Sequence, residues 1–296
     1  MTRERAQLTT NVSYGSAWTL YEGDSVDVLP TLPDASVDFS IYSPPFVALY
    51  TYTNSERDIG NCATREEFLA HYAYVVRETL RVTKPGRLSA VHIAPVATTK
   101  ATHGVIGFSD LRGAVIDLFV REGWTWHGEI TIDKDPQAIA IRTHAKGLLF
   151  VQLKKDASWL RPAMADYIEV FRKPGDNAVP IQPDISNDDW IEWARPIWYG
   201  IRESDTLDVR AARGDDDDRH ICPLQLGVIE RCVRLWTNSN EVVLSPFAGI
   251  GSEGYESVRL GRRFIGIELK HEYAEAAQRN LTMVEREHGR QGALPL

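Results

Sequence analysis

No run of eighteen apolar residues occurs in the 296-residue chain, so no membrane-spanning helix is expected. Met1 to Thr10 are polar and lack the apolar centre of a secretion signal. Cysteine is scarce. Cys62, Cys222 and Cys232 have no paired spacing, which argues against a disulfide framework or a zinc site and points to a reducing cytosol. An excess of positive charge is also missing. The net charge of −8 argues against a protein that simply coats nucleic acid. No internal repeat is present. What remains, 43% hydrophobic residues in one chain of this length, is enough for a large α/β domain carrying an insertion.

Strand and helix patterns alternate at both ends of the chain. Trp18 to Tyr21 reads as a strand, Ser25 to Leu29 as a helical turn and Val37 to Ile41 as a second strand. Residues 47–62 read as a loop. Thr64-Arg65-Glu66-Glu67 has capping-box spacing and opens a helix that Lys84-Pro85-Gly86 stops. Leu88 to Ile93 is the next strand. Ser109 caps a further helix through Phe119, and Trp124 to Ile132 and Leu148 to Leu153 read as strands joined by a linker that contains Pro136. Residues 154–219 lose this rhythm and read as an inserted, irregular region. The pattern then resumes: a helix with Pro223 in its first turn, a turn at Asn238 to Asn240, strands at 241–244 and 263–267, and helices at 252–260 and 272–286. The expected organisation is 1–153, an insertion over 154–219, and 220–296, around a mostly parallel sheet with helices on both faces.

Two turns carry chemistry. Ser245-Pro246-Phe247-Ala248-Gly249-Ile250-Gly251 follows a strand and opens a helix. Gly249 and Gly251 permit close backbone approach to a nucleotide-like ligand. Glu268 ends the next strand, where a carboxylate can accept from ribose hydroxyls. The pattern Gly249, Gly251, Gly254 fits NAD as well as S-adenosylmethionine. Glu253, in the first turn of the helix, would repel a pyrophosphate and so favours the methyl donor. Ser43-Pro44-Pro45-Phe46 follows another strand. An exocyclic base amine is a poor nucleophile because its lone pair is delocalised. The Ser43 hydroxyl and Pro44 carbonyl can accept its protons, the prolines stiffen the loop, and Phe46 can stack on a base swung out of the duplex. No Pro-Cys pair supplies the nucleophile that cytosine-C5 chemistry needs.

With these motifs in this order, the chain resembles the DNA N4-cytosine/N6-adenine methyltransferases of the permuted β class. The resemblance spans about 18–153 and 220–281. It implies a doubly wound, mostly parallel seven-stranded sheet. It implies S-adenosylmethionine as cofactor, with Asp24 of Leu20-Tyr21-Glu22-Gly23-Asp24 accepting from the adenine, and Cys222, Pro223 and Gln225 lining the methionine end. Phe247, Ala248, Gly249 and Gly251 would form the cofactor loop, and Glu268 would hold the ribose. Ser245 stands where family members usually carry an acid. Ser-Pro-Pro leans toward cytosine N4, and adenine N6 is the alternative.

The implied partner is double-stranded DNA, with a paired restriction nuclease, a cytoplasmic setting and a homodimer compatible with the family. Seven basic residues against three acidic ones in 139–175 make a local basic stretch. Arg142, His144 and Lys146 are candidate phosphate contacts, and Arg172 and Lys173 are candidates in the insertion, which falls at the family's target-recognition region. Trp190, Trp193, Arg195, Trp198 and Tyr199 suit base contact or a small local core. Two readings from other classes stay open: an NAD-dependent oxidoreductase, and a catalytically silent DNA-binding module. Motif order opposes a glutamine-amide methyltransferase of proteins.

Overall fold

The computed structural model describes residues 11–45, 59–62, 64–98, 104, 107–143, 150–159, 164–208 and 223–291. The strands are β1 (Asn11–Tyr14), β2 (Trp18–Glu22), β3 (Val37–Tyr42), β4 (Thr83–Ile93), β5 (Val96–Thr98), β6 (Gly107–Ser109), β7 (Thr125–Ile132), β8 (Asp166–Arg172), β9 (Ile197–Trp198), β10 (Val242–Ser245) and β11 (Arg263–Glu268). The helices are α1 (Ser25–Val28), α2 (Arg65–Val82), α3 (Leu111–Arg121), α4 (Pro136–Thr143), α5 (Phe150–Lys155), α6 (Asn187–Trp193), α7 (Leu226–Trp236), α8 (Ser252–Arg259) and α9 (His271–Gln291).

Among the described residues, nine strands form one sheet in the order β1-β2-β11-β10-β3-β4-β8-β7-β9, and β5 and β6 form a separate hairpin. The five strands β2, β11, β10, β3 and β4 are mutually parallel. β8 runs antiparallel between β4 and β7. The expected doubly wound sheet is present as the seven strands from β2 to β7, with the short β1 and β9 added at the edges.

Both faces are covered, as parallel strands require. On one face Phe39, Ile41, Val243 and Phe264 pack with Val228, Ile229, Cys232 and Val233 of α7, Val258 of α8 and Ala277 and Leu281 of α9. On the other, Tyr42, Val91, Phe171 and Leu244 pack with Leu29 beyond α1, Phe68, Tyr72 and Val76 of α2 and Val115 and Phe119 of α3. The α2 stripe follows helical spacing, and Thr64 caps it by accepting from the Glu67 N–H at 3.1 Å.

Several sequence expectations are corrected. The α3 cap is Asp110, whose carboxylate accepts from Gly113 N–H, while Ser109 pairs in β6 with Val96. The strand read over Leu148 to Leu153 is the helix α5 from Phe150 on, whose apolar side chains are exposed rather than paired in the sheet. The Pro136 linker contains α4, with the proline at the first helical position, where no N–H is needed. Pro223 lies outside α7, which starts at Leu226 after the cap residue Gln225. Residues 154–219 are not irregular throughout, because β8 is a buried strand in the middle of the sheet. Its acidic residues, Asp166 and Glu169, hide the apolar alternation. The loop read over 47–62 lies mostly outside the described residues, and Ile59–Asn61 forms a 3-10 turn. Among the described residues, no helix is long and apolar enough to cross a membrane.

Candidate active site

Five parallel strands deliver their carboxyl ends to one edge of the sheet, where α/β sheets place their ligands. Leu244 pairs with Ser40, so Phe247 and Ser43, each three residues further on, leave the sheet at the same level. Ser245 pairs with Gly266 and Glu268 with Glu22, which brings the end of β11 and the Gly23-Asp24 turn to that edge too. The two sequence motifs, distant in the chain, are therefore neighbours.

The glycine turn is fastened from three sides. Ala248 N–H donates to Ile267 O at 2.8 Å, and Gly249 N–H to Glu268 Oε2 at 2.7 Å. Ser25 donates to the Pro246 carbonyl. Gly249 and Gly251 take φ values of +52° and +86°, which a side chain would oppose. A Cβ on Gly249 would meet nothing within 4 Å, so the turn presents bare backbone to open space. The Gln225 Oε1, Ser245 Oγ and Ser252 Oγ oxygens are buried without a protein partner. Bare backbone beside unpaired buried oxygens fits a polar, nucleotide-like cofactor.

The individual cofactor candidates divide. Asp24 accepts from Val26 N–H at 2.9 Å and caps α1, beside the turn. Glu268 accepts from Gly249 and Lys270 N–H, one on each oxygen. Phe247 packs against Tyr42 and Tyr72 with ring centroids 5.7 and 6.3 Å apart, so it serves the core as well. Cys222 lies outside the described residues. The charge argument from Glu253 is corrected. Burial, with Glu268 adding to it, pushes this carboxyl up to about 8, so it is largely neutral at neutral pH and repels a pyrophosphate little.

Beyond β3, Pro44 is buried and Ser43 half-buried; Phe46 lies outside the described residues. Ser43 Oγ is 2.8 Å from His92 Nδ1, and His92 Nε2 is 3.1 Å from Asp166 Oδ2. Lys134 Nζ lies 2.6 Å from the same Asp166 oxygen. Burial alone would raise the Asp166 carboxyl, but hydrogen bonding and charge from His92 and Lys134 outweigh it and hold the group at about 2. In the Nε2–H tautomer, His92 donates a hydrogen bond to the Asp166 carboxylate, and Nδ1 accepts one from the Ser43 hydroxyl. Sequence reasoning missed His92, Asp166 and Lys134. The one available signal was His92 itself, a titratable residue inside an apolar strand.

The DNA candidates fall at opposite edges. β7 ends and β8 begins at the active edge, since Ile132 pairs with Asp166 and Tyr167 with Ile93. The excursion between them carries α4, with Arg142, and α5, with exposed Lys154 and Lys155. His144 and Lys146 belong to the same excursion and lie outside the described residues. Arg172 ends β8, and Lys173 follows it, at the other edge, about 20 Å away along the strand. Lys173 Nζ donates there to Thr83 O at 2.7 Å and Arg81 O at 3.2 Å, and closes the end of α2. The structure therefore separates these two residues from the site. Of the insertion's aromatics, Trp198 is fully buried, with Arg231 over its ring and that of the half-buried Trp193, while Trp190 and Tyr199 are exposed.

A family model described as DNA methylase matches residues 37–279. The type II methyltransferase M.BglII of Bacillus subtilis is 26% identical over 274 residues, covering 89% of this chain and 68% of that protein. The crystal structure of TTHA0409 from Thermus thermophilus, complexed with S-adenosyl-L-methionine, matches with a TM-score of 0.67 at 25% identity. It covers 90% of this chain and 93% of that one. The PvuII DNA methyltransferase (cytosine-N4-specific) matches with a TM-score of 0.64 at 19% identity over 92% and 93% of the two chains, a likeness of fold alone.

Proposed function

The chain belongs to the DNA methylase family and takes S-adenosylmethionine as its cofactor, and from that premise we propose that it methylates N4 of cytosine in double-stranded DNA. The observation that carries the proposal is the convergence of Ser43 and the glycine turn on one sheet edge, with the Ser43 hydroxyl held by His92. The bound cofactor supplies an electrophilic methyl group. The chain's part is to hold the amine in line and draw its lone pair out of the ring. Ser43 Oγ and the Pro44 carbonyl accept the amine protons. Phe46 stacks on the flipped base. Asp24, Cys222, Pro223, Gln225, Phe247, Ala248, Gly249, Gly251 and Glu268 hold the cofactor.

Serine rather than an acid or amide at position 43 supports cytosine over adenine. The α4–α5 excursion supports a phosphate contact, with Arg142, His144 and Lys146 joined by Lys154 and Lys155. A place in restriction–modification is part of the same proposal, because M.BglII is a type II methyltransferase. The oxidoreductase reading leaves the Ser43 turn without a role.

Mass spectrometry of nucleosides from duplex DNA treated with the protein and labelled cofactor identifies the product. N4-methylcytosine is expected. N6-methyladenine would overturn the base assignment, and neither would overturn the activity. Ser43→Ala is expected to lower kcat sharply with cofactor affinity little changed.

A further inference from the structure

The Ser43 hydroxyl is the near end of a chain of four polar groups that spans four adjacent strands. Ser43 follows β3, His92 lies in β4, Asp166 begins β8, and Lys134 follows β7. Their separations, 2.8, 3.1 and 2.6 Å, are all hydrogen-bonding distances. His92 is 8% exposed and Lys134 6%. Groups this buried are not surface charges that met by chance; each needs its partner to be stable there. The end of the chain at Ser43 is the half-exposed one, and it opens on the edge that carries the cofactor turn.

We propose that His92, oriented by Asp166, is the acceptor that relieves the target amine of its proton through Ser43. This rests on the amine-methylation reading above. The amine nitrogen uses its lone pair to form the bond to the methyl carbon, and the bond from that carbon to sulfur breaks with its electron pair left on sulfur. The nitrogen then carries one proton too many. That N–H bond breaks with its pair left on nitrogen. The proton passes to Ser43 Oγ as the hydroxyl's own proton passes to His92 Nδ1. The imidazolium rests against the Asp166 carboxylate and later gives its proton to water. Asp166 fixes the imidazole in the Nε2–H form, which leaves Nδ1 free to accept. Lys134 keeps that carboxylate ionised. Ser43 touches the substrate; His92 and Asp166 act through it, as positioning and relay residues.

Two near-isosteric substitutions test this. In His92→Asn the side-chain oxygen takes the place of Nδ1 and can still accept from Ser43, but it cannot take up a proton. In Asp166→Asn the amide can donate to Nε2 and so lose the tautomer bias. Single-turnover methylation of a DNA duplex is expected to fall about 10²–10⁴-fold in each, with S-adenosylmethionine affinity by calorimetry within about threefold of wild type. An independent readout is the imidazole ¹⁵N spectrum of the cofactor-free protein. His92 is expected as the Nε2–H form in wild type and Ser43→Ala, and to shift toward the other form in Asp166→Asn. Wild-type His92 found as the Nδ1–H form, or His92→Asn turning over at the wild-type rate, would overturn the relay. If Ser43→Ala is inactive while both relay variants are active, the Ser43 role stands and the relay falls. If wild type methylates no DNA amine, the functional reading falls and the relay with it.

Discussion

Gly249 and Gly254 lie five residues apart in one motif, yet alanine at each should fail in a different way. At Gly249 the added Cβ has nothing within 4 Å, so the folded state loses only the cost of a left-handed backbone, about 1–2 kcal/mol. The same methyl group fills the open side of the turn that Glu268 fastens, where the cofactor must approach. At Gly254 the Cβ would fall 2.5 Å from the Phe264 ring and 2.6 Å from Leu281, inside the packed layer between α8, β11 and α9. Overpacking there costs about 1–3 kcal/mol, partly offset by about 1 kcal/mol of better helix propensity. Both variants should therefore melt a few degrees lower, by similar amounts. They should separate in calorimetric titration with S-adenosylmethionine. Gly249→Ala should bind at least about tenfold more weakly, the effect of about 1.4 kcal/mol, and Gly254→Ala should bind as wild type does. Wild-type affinity in Gly249→Ala would show that the ligand does not approach this backbone, and the assignment of the turn would be wrong.

Glu253 gives a pH test. Its folded value of about 8 lies above the ordinary 4.5, so the folded state keeps a proton that the unfolded chain has released. Stability contributed by the group is then present below about pH 4.5, declines as pH rises to about 8, and stays lost above it, by at most about 5 kcal/mol. Glu253→Gln should flatten that decline in thermal melts and melt above wild type beyond about pH 8; a parallel decline in the variant would contradict this. For DNA, Lys154→Ala with Lys155→Ala should reduce the slope of log affinity against log salt by about one for each phosphate that is no longer neutralised. Arg172→Ala with Lys173→Ala should leave the slope unchanged, and the reverse result would move the DNA to the other sheet edge. Arg262 is buried and donates to Thr237 Oγ1, Thr237 O and Leu260 O. Arg262→Ala should cost about 3 kcal/mol in denaturant unfolding because buried acceptors lose their donor, and a loss under about 1 kcal/mol would contradict that role.

Much of this molecule was legible because its informative residues are local. Gly249 and Gly251 announce a turn, Thr64 with Glu67 announces a helix start, and Phe39 with Ile41 alternates as a strand must. β8 was hidden for a physical reason. It is a strand buried in the sheet, but Glu169 and Asp166 break its apolar pattern, and their polar partners come from in or just beyond the neighbouring strands: Trp126 for one, His92 and Lys134 for the other. The same reason hid the relay. Three polar residues at distances of about 30 to 70 positions carry no shared spacing, and only strand order brings them together. Arg172 and Lys173 show the opposite limit. Their composition suggested a nucleic-acid surface, while the direction of β8 puts them at the edge away from the Ser43 turn.

β2 lies against β11, with Trp18 opposite Phe264 and Tyr21 opposite Ile267. During synthesis, then, the partner of one of the earliest strands emerges some 240 residues later, which at about 5–20 residues per second is a wait of roughly 12–50 s. β1 can pair with β2 early, but the strand's other edge stays open until β11 has been made. The nascent protein is thus an aggregation-exposed intermediate by construction. Its Ser43 turn leaves the ribosome long before the cofactor turn does, so no working site can assemble until both turns have been made.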